Sequence, residues 1–145
     1  MSDAPNILIV TSRYYAEIMT ELEAGVVAAL EAGGAQHEFL EVPGAFEVPG
    51  AIALVSDADE YDGYIALGCV IRGETSHYDH ICNEVARGLM NLSLAGIPVG
   101  FGVLTCENKD QAMVRASRSG KNKGAEVVAA VLRMVELSNA YSDDE

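Results

Sequence analysis

Short runs of apolar residues alternate along the chain with longer segments of mixed character. Residues 6–11 (NILIVT) and residues 64–71 (YIALGCVI) are apolar almost throughout. Such continuous runs are typical of strands that are covered on both faces of a parallel sheet. Together with two similar runs they predict four strands, over residues 6–11, 37–42, 64–71 and 98–104.

The segments between these runs carry apolar residues at helical spacing. Ile18, Leu22, Val26 and Leu30 fall on one face of a helix, and Gly33 is a typical residue for ending it. The same reasoning predicts helices over residues 17–32, 46–56, 77–95, 108–115 and 122–137.

The alternation of strands and helices, βαβαβαβαα, predicts a parallel sheet with right-handed crossovers. We therefore expect an α/β fold: a single three-layer α/β/α domain, flavodoxin-like, with a four-stranded parallel sheet. It would occupy residues 1–145, with an ordered core over about 7–137 and a frayed acidic tail. Ligands of open parallel sheets bind at the carboxyl ends of the strands. Those ends are residues 11–15, 42–47, 71–77 and 104–108.

Charge and cysteine content exclude several functional classes. The net charge of −13 disfavours nucleic-acid binding, which requires a basic surface. No apolar run approaches the roughly 20 residues of a membrane helix, and the polar first six residues do not resemble a signal peptide. The three cysteines form no CxxC pair, which argues against a disulfide framework or a zinc site and favours a reducing cytoplasm.

Common cofactor motifs are also absent from the sequence. There is no GxGxxG fingerprint after the first strand, no Walker A loop, no HExxH and no EF-hand loop. The sequence therefore suggests no metal and no nucleotide cofactor.

The end of the third predicted strand has the composition of a phosphate site. A Gly73 turn leads through Thr75 and Ser76 into a helix, whose first turn would offer free N–H groups. Simple capping of the helix by Thr75 or Ser76 explains these residues at least as well. His77 in that first turn should tend towards the neutral form that a base needs, although a structural histidine is an equally good interpretation. His80 is a weaker candidate one turn further on.

The other strand ends allow two interpretations each. Tyr14 and Tyr15 could form a stacking wall for a flat heterocycle or pack under a loop. Around Pro43 and Gly44, the local sequence favours an ordinary turn with Phe46 in the core. Four of the nine basic residues fall within residues 115–123, where a solvated basic helix face is slightly favoured over an anion site.

Three longer segments, taken in order, resemble the lumazine synthases. They are VPGAFEVP (residues 42–49), LGCVIRGETSHYDHICNE (residues 67–84) and FGVLTCEN…R…KNKG (residues 101–124). The resemblance extends over about residues 7–137. It implies condensation of a ribitylaminouracil with 3,4-dihydroxy-2-butanone 4-phosphate to 6,7-dimethyl-8-ribityllumazine, without a cofactor, in riboflavin biosynthesis.

The resemblance also implies roles for particular residues. His77 matches the proton-transfer histidine, Glu126 falls where an acidic residue can orient it, and Phe101 and Lys123 match positions that reach a neighbouring subunit's site. Positions matching the pyrimidine and ribityl pocket are Tyr14, Ala45, Phe46, Glu47, Val70, Ile71 and Phe101. Positions matching the phosphate-binding groups are Gly73, Glu74, Thr75, Ser76 and Arg115.

Family resemblance further implies a cytoplasmic homopentamer, free or assembled into a decamer or an icosahedral shell. The chain departs from the usual Arg-Phe-Asn of the family at Tyr14 and Tyr15, and residues 118–121 are unusual. Two alternatives stay open: a flavin- or lumazine-binding relative, and a shell-forming relative without significant catalysis.

Overall fold

The fold is built on one parallel sheet, seen in a computed structural model that describes residues 4–73 and 77–142. The strands of this sheet are β1 (Asn6–Ser12), β2 (Gln36–Val42), β3 (Gly63–Ile71) and β4 (Val99–Cys106). The α-helices of the described residues are α1 (Ala16–Ala32), α2 (Val48–Ser56), α3 (His77–Leu94), α4 (Lys109–Ala116) and α5 (Lys123–Ala140).

The sheet has the strand order β2-β1-β3-β4, and every neighbouring pair is parallel. This arrangement confirms the α/β fold class with a four-stranded parallel sheet. The two apolar runs that the sequence marked most clearly, β1 and β3, occupy the centre. β2 and β4 form the two edges, so each has one side that no strand in the described part of the chain pairs with.

Alternate residues of β1 enter two separate cores. Ile7 and Ile9 pack with α1, α4 and α5 on one face of the sheet, whereas Leu8 and Val10 pack with α2 and α3 on the other. All four side chains are at most 3% exposed. Burial on both faces explains why the strand is apolar at each position from Ile7 to Val10 rather than at every second one.

Most predicted boundaries differ from the structure by one to three residues, and α5 continues to Ala140 beyond the predicted end at residue 137. Two of the differences have a clear physical cause. The predicted helix over residues 46–56 begins as a single 3₁₀ turn (Ala45–Glu47), and α2 follows it with Pro49 in its first turn. Proline lacks an N–H and is tolerated only at the start of a helix, so it fixes where the α-helix begins. β4 continues to Cys106, beyond the predicted end at residue 104, because Thr105 and Cys106 still pair with β3.

None of the helices in residues 4–73 and 77–142 combines the length and the apolar character needed to cross a membrane.

The backbones of α1 and α5 approach each other closely at Gly124. A Cβ atom at Gly124 would lie 2.8 Å from the backbone nitrogen of Val26 and 3.0 Å from the carbonyl oxygen of Leu22. Backbone atoms cannot move aside cheaply, so we expect Gly124→Ala to lower the free energy of unfolding by about 1–3 kcal/mol. Urea denaturation followed by circular dichroism measures this change.

Gly50 in α2 provides the matched control. A Cβ atom there would meet nothing within 4 Å. Gly50→Ala should be neutral or should stabilise the fold by up to about 1 kcal/mol, since alanine favours helix more than glycine does. Equal free energies of unfolding for the two variants would contradict the proposed close packing of α1 and α5.

Candidate active site

A cleft with a volume of about 740 Å³ opens at the carboxyl end of the sheet. It is formed by the ends of β1 and β3, the turns that follow β1 and β2, and the first turns of α3. Its lining includes Tyr14, Ala45, Phe46, Glu47, Val70, Ile71 and His77, all of which the sequence had marked as candidates. The other lining residues in the described part of the chain are Ser12, Tyr15, Gly44, Cys69, His80 and Ile81.

The turn after β1 is fixed to α1 by a network around Glu23. Arg13 Nε donates to both carboxylate oxygens of Glu23, at 3.1 and 3.3 Å, and Arg13 Nη2 donates to Thr20 Oγ1 at 2.7 Å. The buried hydroxyl of Thr11 donates to the same carboxylate at 2.8 Å. This anchored turn presents Tyr14, whose side chain is 79% exposed, to the cleft. An exposed aromatic on a fixed turn suits stacking with a flat ring.

Tyr15 separates the cleft from a second depression. It lines the cleft and also the hollow between the starts of α1 and α4, where Lys109 Nζ lies 5.8 Å from the centre of its ring. Its ring meets that of Tyr14 edge to face, with the centroids 4.9 Å apart. Burial raises the pKa of the Tyr15 phenol, so the hydroxyl remains protonated at neutral pH.

The turn after β2 brings Phe46 and Glu47 to the cleft. Ser12 Oγ donates to the carbonyl oxygen of Pro43 at 3.4 Å, which ties this turn to the end of β1. The 3₁₀ geometry leaves Phe46 55% exposed. The interpretation from local sequence, which placed Phe46 in the core, was therefore wrong.

Cys69 is the one cysteine among the described residues of the cleft lining, and its side chain also belongs to the core on the α1, α4 and α5 face of the sheet. Cys69 is only 8% exposed, and burial raises the pKa of its thiol to about 12. The thiol is accordingly protonated at neutral pH and contributes apolar surface rather than charge.

His77 begins α3 and lines the cleft together with His80. Their spacing of three residues places both imidazoles on one side of the helix. Glu74, Thr75 and Ser76 lie outside the described residues, so both the phosphate-binding and the capping interpretations of this segment stay predictions.

Four other candidate residues line a separate groove of about 370 Å³ beside β4: Phe101, Arg115, Lys123 and Glu126. Arg115 is half-buried, and its Nη1 donates to the carbonyl oxygen of Gln111 at 3.3 Å. Lys123 Nζ pairs with Glu126 Oε1 at 3.0 Å. Within a single chain, the candidate site residues therefore lie on two separate surfaces. His77 is on one surface, and Arg115 and Glu126 are on the other.

Only part of the basic segment over residues 115–123 is a solvated face. Arg118 and Lys121 are exposed, whereas Arg115 and Lys123 turn into the groove. Beside the groove, Phe101 on β4 and Met90 on α3 are 50% and 57% exposed and share a shallow apolar depression. In the described residues, no three His, Cys, Asp or Glu side chains are grouped so that they could hold a metal ion.

The sequence is similar to that of known proteins over nearly its whole length. The family model described as 6,7-dimethyl-8-ribityllumazine synthase matches residues 4–139. The chain is 48% identical to a protein of that name from Sphingopyxis alaskensis, over 94% of this chain and 96% of the relative. Identity is 47% to the protein of the same name from Novosphingobium aromaticivorans (93% and 97% covered) and 46% to that from Agrobacterium fabrum (92% and 94% covered).

Proposed function

The chain belongs to the 6,7-dimethyl-8-ribityllumazine synthase family, and from that premise we propose how its residues carry out the reaction. It condenses 5-amino-6-(D-ribitylamino)uracil with 3,4-dihydroxy-2-butanone 4-phosphate to 6,7-dimethyl-8-ribityllumazine, with release of phosphate and water, in riboflavin biosynthesis. The observation that carries this assignment is the match over residues 4–139, which includes every segment that forms the cleft and the groove.

We propose that a complete active site combines the cleft of one subunit with the groove of its neighbour. The described lining of the cleft offers aromatic rings and histidines but neither lysine nor arginine, although a phosphorylated substrate needs a cation. The groove offers Arg115 and Lys123 but lacks the histidine. In the described part of the chain, β4 has an unpaired side next to the groove, and Phe101 and Met90 expose apolar side chains beside it. These features are typical of a surface that contacts another protein chain.

Such a contact joins two different surfaces of identical chains and is therefore heterologous. A heterologous contact that closes on itself produces a ring. We propose that this enzyme forms a homopentamer, either free or further assembled into a decamer or an icosahedral shell. We also propose that it works in the cytoplasm, as the cysteine content suggests.

In this arrangement the pyrimidine stacks on Tyr14 and Phe46. Exposed backbone groups of the turn over residues 45–47 bind its polar edge, and the Glu47 carboxylate accepts hydrogen bonds from the ribityl hydroxyls. Val70 and Ile71 form the apolar floor. The phosphate of the second substrate lies at the segment from Gly73 to the start of α3, where the helix dipole and the neighbour's Arg115 favour an anion.

The chemistry consists of two dehydrations and one elimination. The free amine of the uracil attacks the ketone, and loss of water gives an imine. Elimination then removes the proton next to the imine carbon and breaks the C–O bond to the phosphate, which leaves an enol. The enol tautomerises to a new carbonyl, and attack of the ribityl-bearing nitrogen on that carbonyl closes the ring with loss of another water. His77 moves protons between these steps, with Glu126 and Lys123 of the neighbour beside it. Holding both substrates together supplies a large part of the acceleration.

The direct test mixes the purified protein with both substrates and follows lumazine absorbance and phosphate release together. We expect equal amounts of the two products, formed faster than in the uncatalysed reaction. A folded oligomer that does not accelerate the reaction would instead favour a flavin- or lumazine-binding relative. Mass spectrometry of any bound compound would then identify its ligand.

A further inference from the structure

Arg72 lies between β3 and α3, and its side chain makes two ion pairs. Its backbone N–H donates to the carbonyl oxygen of Cys106 at 2.9 Å, which continues the pairing of β3 with β4 by one residue. Its Nε lies 3.0 and 3.2 Å from the two carboxylate oxygens of Glu107. Its Nη1 lies 3.6 Å from Asp79 Oδ1. One guanidinium thus joins the end of β4 to the first turn of α3.

The first turn of α3 is the turn that begins with His77. The guanidinium carbon of Arg72 also lies 4.4 Å from the ring centroid of Tyr78, in the geometry of a cation–π contact. Arg72 therefore contacts both residues that directly follow His77 in the chain, Tyr78 and Asp79. A shift of the guanidinium would shift the turn that carries the imidazole.

Glu107, the other end of this bridge, is itself fixed. Its backbone N–H donates to Gln111 Oε1 at 2.8 Å. The backbone N–H of Gln111 in turn donates to the side chain of Asn108, which caps α4, at 2.8 Å. The carboxylate that accepts from Arg72 consequently belongs to a capped helix start rather than to a free loop.

We infer that Arg72 is a positioning residue for His77, setting the first turn of α3 relative to the end of β4. This inference rests on the proposed proton-transfer role of His77. Two carboxylates already face the guanidinium, so Arg72 is poorly placed to bind phosphate. Side chains in the bridge are 42–56% exposed, and exposed ion pairs stabilise a fold little. Loss of the Arg72 bridge should therefore change catalysis more than stability, because a displacement of a catalytic group by about 1 Å can cost up to about 10²-fold in rate.

The test compares Arg72→Gln with Arg87→Gln in the complete oligomer. Arg87 is a matched control because it lies on the same helix and pairs with Glu84, yet it does not line the cleft. For Arg72→Gln we expect kcat to fall about tenfold, with KM for both substrates and Ki for inorganic phosphate changed less than about twofold. Arg72→Lys should recover part of kcat, and Arg87→Gln should match the parent protein.

A double variant tests whether the bridge acts as a unit. If it does, Arg72→Gln combined with Glu107→Gln should be no slower than Arg72→Gln alone. Equal kcat for Arg72→Gln and Arg87→Gln would reject the inference. A rise in KM for the butanone phosphate and in Ki for phosphate, with kcat preserved, would also reject it and identify a phosphate ligand. Full turnover by His77→Ala, measured in parallel, would instead reject the role of His77 itself.

Discussion

Replacement of His77 by alanine is expected to lower kcat by about 10²–10⁴-fold, the usual range for loss of a general acid–base group. Turnover should remain measurable, because the cleft still brings the amine and the ketone together. The rate of lumazine formation at saturating concentrations of both substrates measures this effect. The variant must also retain the thermal stability and the oligomer size of the parent protein, so that the loss of rate reports on catalysis and not on folding.

His80→Ala is the natural control for this measurement. His80 lines the same cleft one turn further along α3, so its removal also opens space and deletes an imidazole there. We expect kcat of His80→Ala to stay within a few-fold of the parent value. Complete loss of activity in His77→Ala would contradict the division between proton transfer and substrate positioning. Equal losses in both variants would show that the two histidines share the role.

Arg115→Ala is expected to reduce kcat/KM for the butanone phosphate by about 10–100-fold, as loss of a charge-assisted hydrogen bond worth roughly 1.5–3 kcal/mol implies. The Arg115→Ala variant is more informative when its chains are mixed with His77→Ala chains in one oligomer. If the cleft and the groove belong to different subunits, a His77→Ala chain can supply Arg115 to the cleft of an Arg115→Ala chain. Random mixing at equal amounts should make about a quarter of the sites intact.

Co-expression of the two tagged variants, followed by purification through both tags, yields the mixed oligomers. Their activity should far exceed the mean of the two separate variants. Oligomers of either variant mixed with the parent protein in the same ratio should keep about half of their sites intact, so they should be about twice as active as the two-variant oligomers. No recovery in mixed oligomers of normal size would mean that His77 and Arg115 act within one chain, contrary to the separation of their surfaces.

The sequence was sufficient for the fold because its strongest patterns arise from burial on both sides of a sheet. β1 is apolar from Ile7 to Val10 and β3 is apolar almost throughout, as burial on both faces of a sheet requires. The end of β4 was missed because the continuous apolar run ends at Leu104, before the polar Thr105. The strand pairing of Thr105 and Cys106 becomes apparent only from the register with Val70 and Ile71.

The candidate site was less predictable, since it depends on distances between segments. Phe46 is apolar and suits a core, and only the 3₁₀ turn that exposes it reveals otherwise. Arg72 and Glu107 are 35 residues apart, and no pattern in the sequence predicted their ion pair. The pairing of Ile71 with Cys106 places the next residue of each strand side by side, so the register would have predicted this contact.

The burial of the Cys69 thiol bears on how this enzyme can be inhibited covalently. Cys69 belongs to the lining of a cleft that we propose to bind a ketone, and a thiolate exposed there could add to the carbonyl of the substrate. With the pKa raised to about 12, only on the order of one thiol in 10⁵ is ionised at neutral pH. Burial thus protects the electrophilic substrate from an unproductive adduct. A covalent inhibitor of this enzyme would gain little from a cysteine-directed warhead and should rely on shape and charge instead.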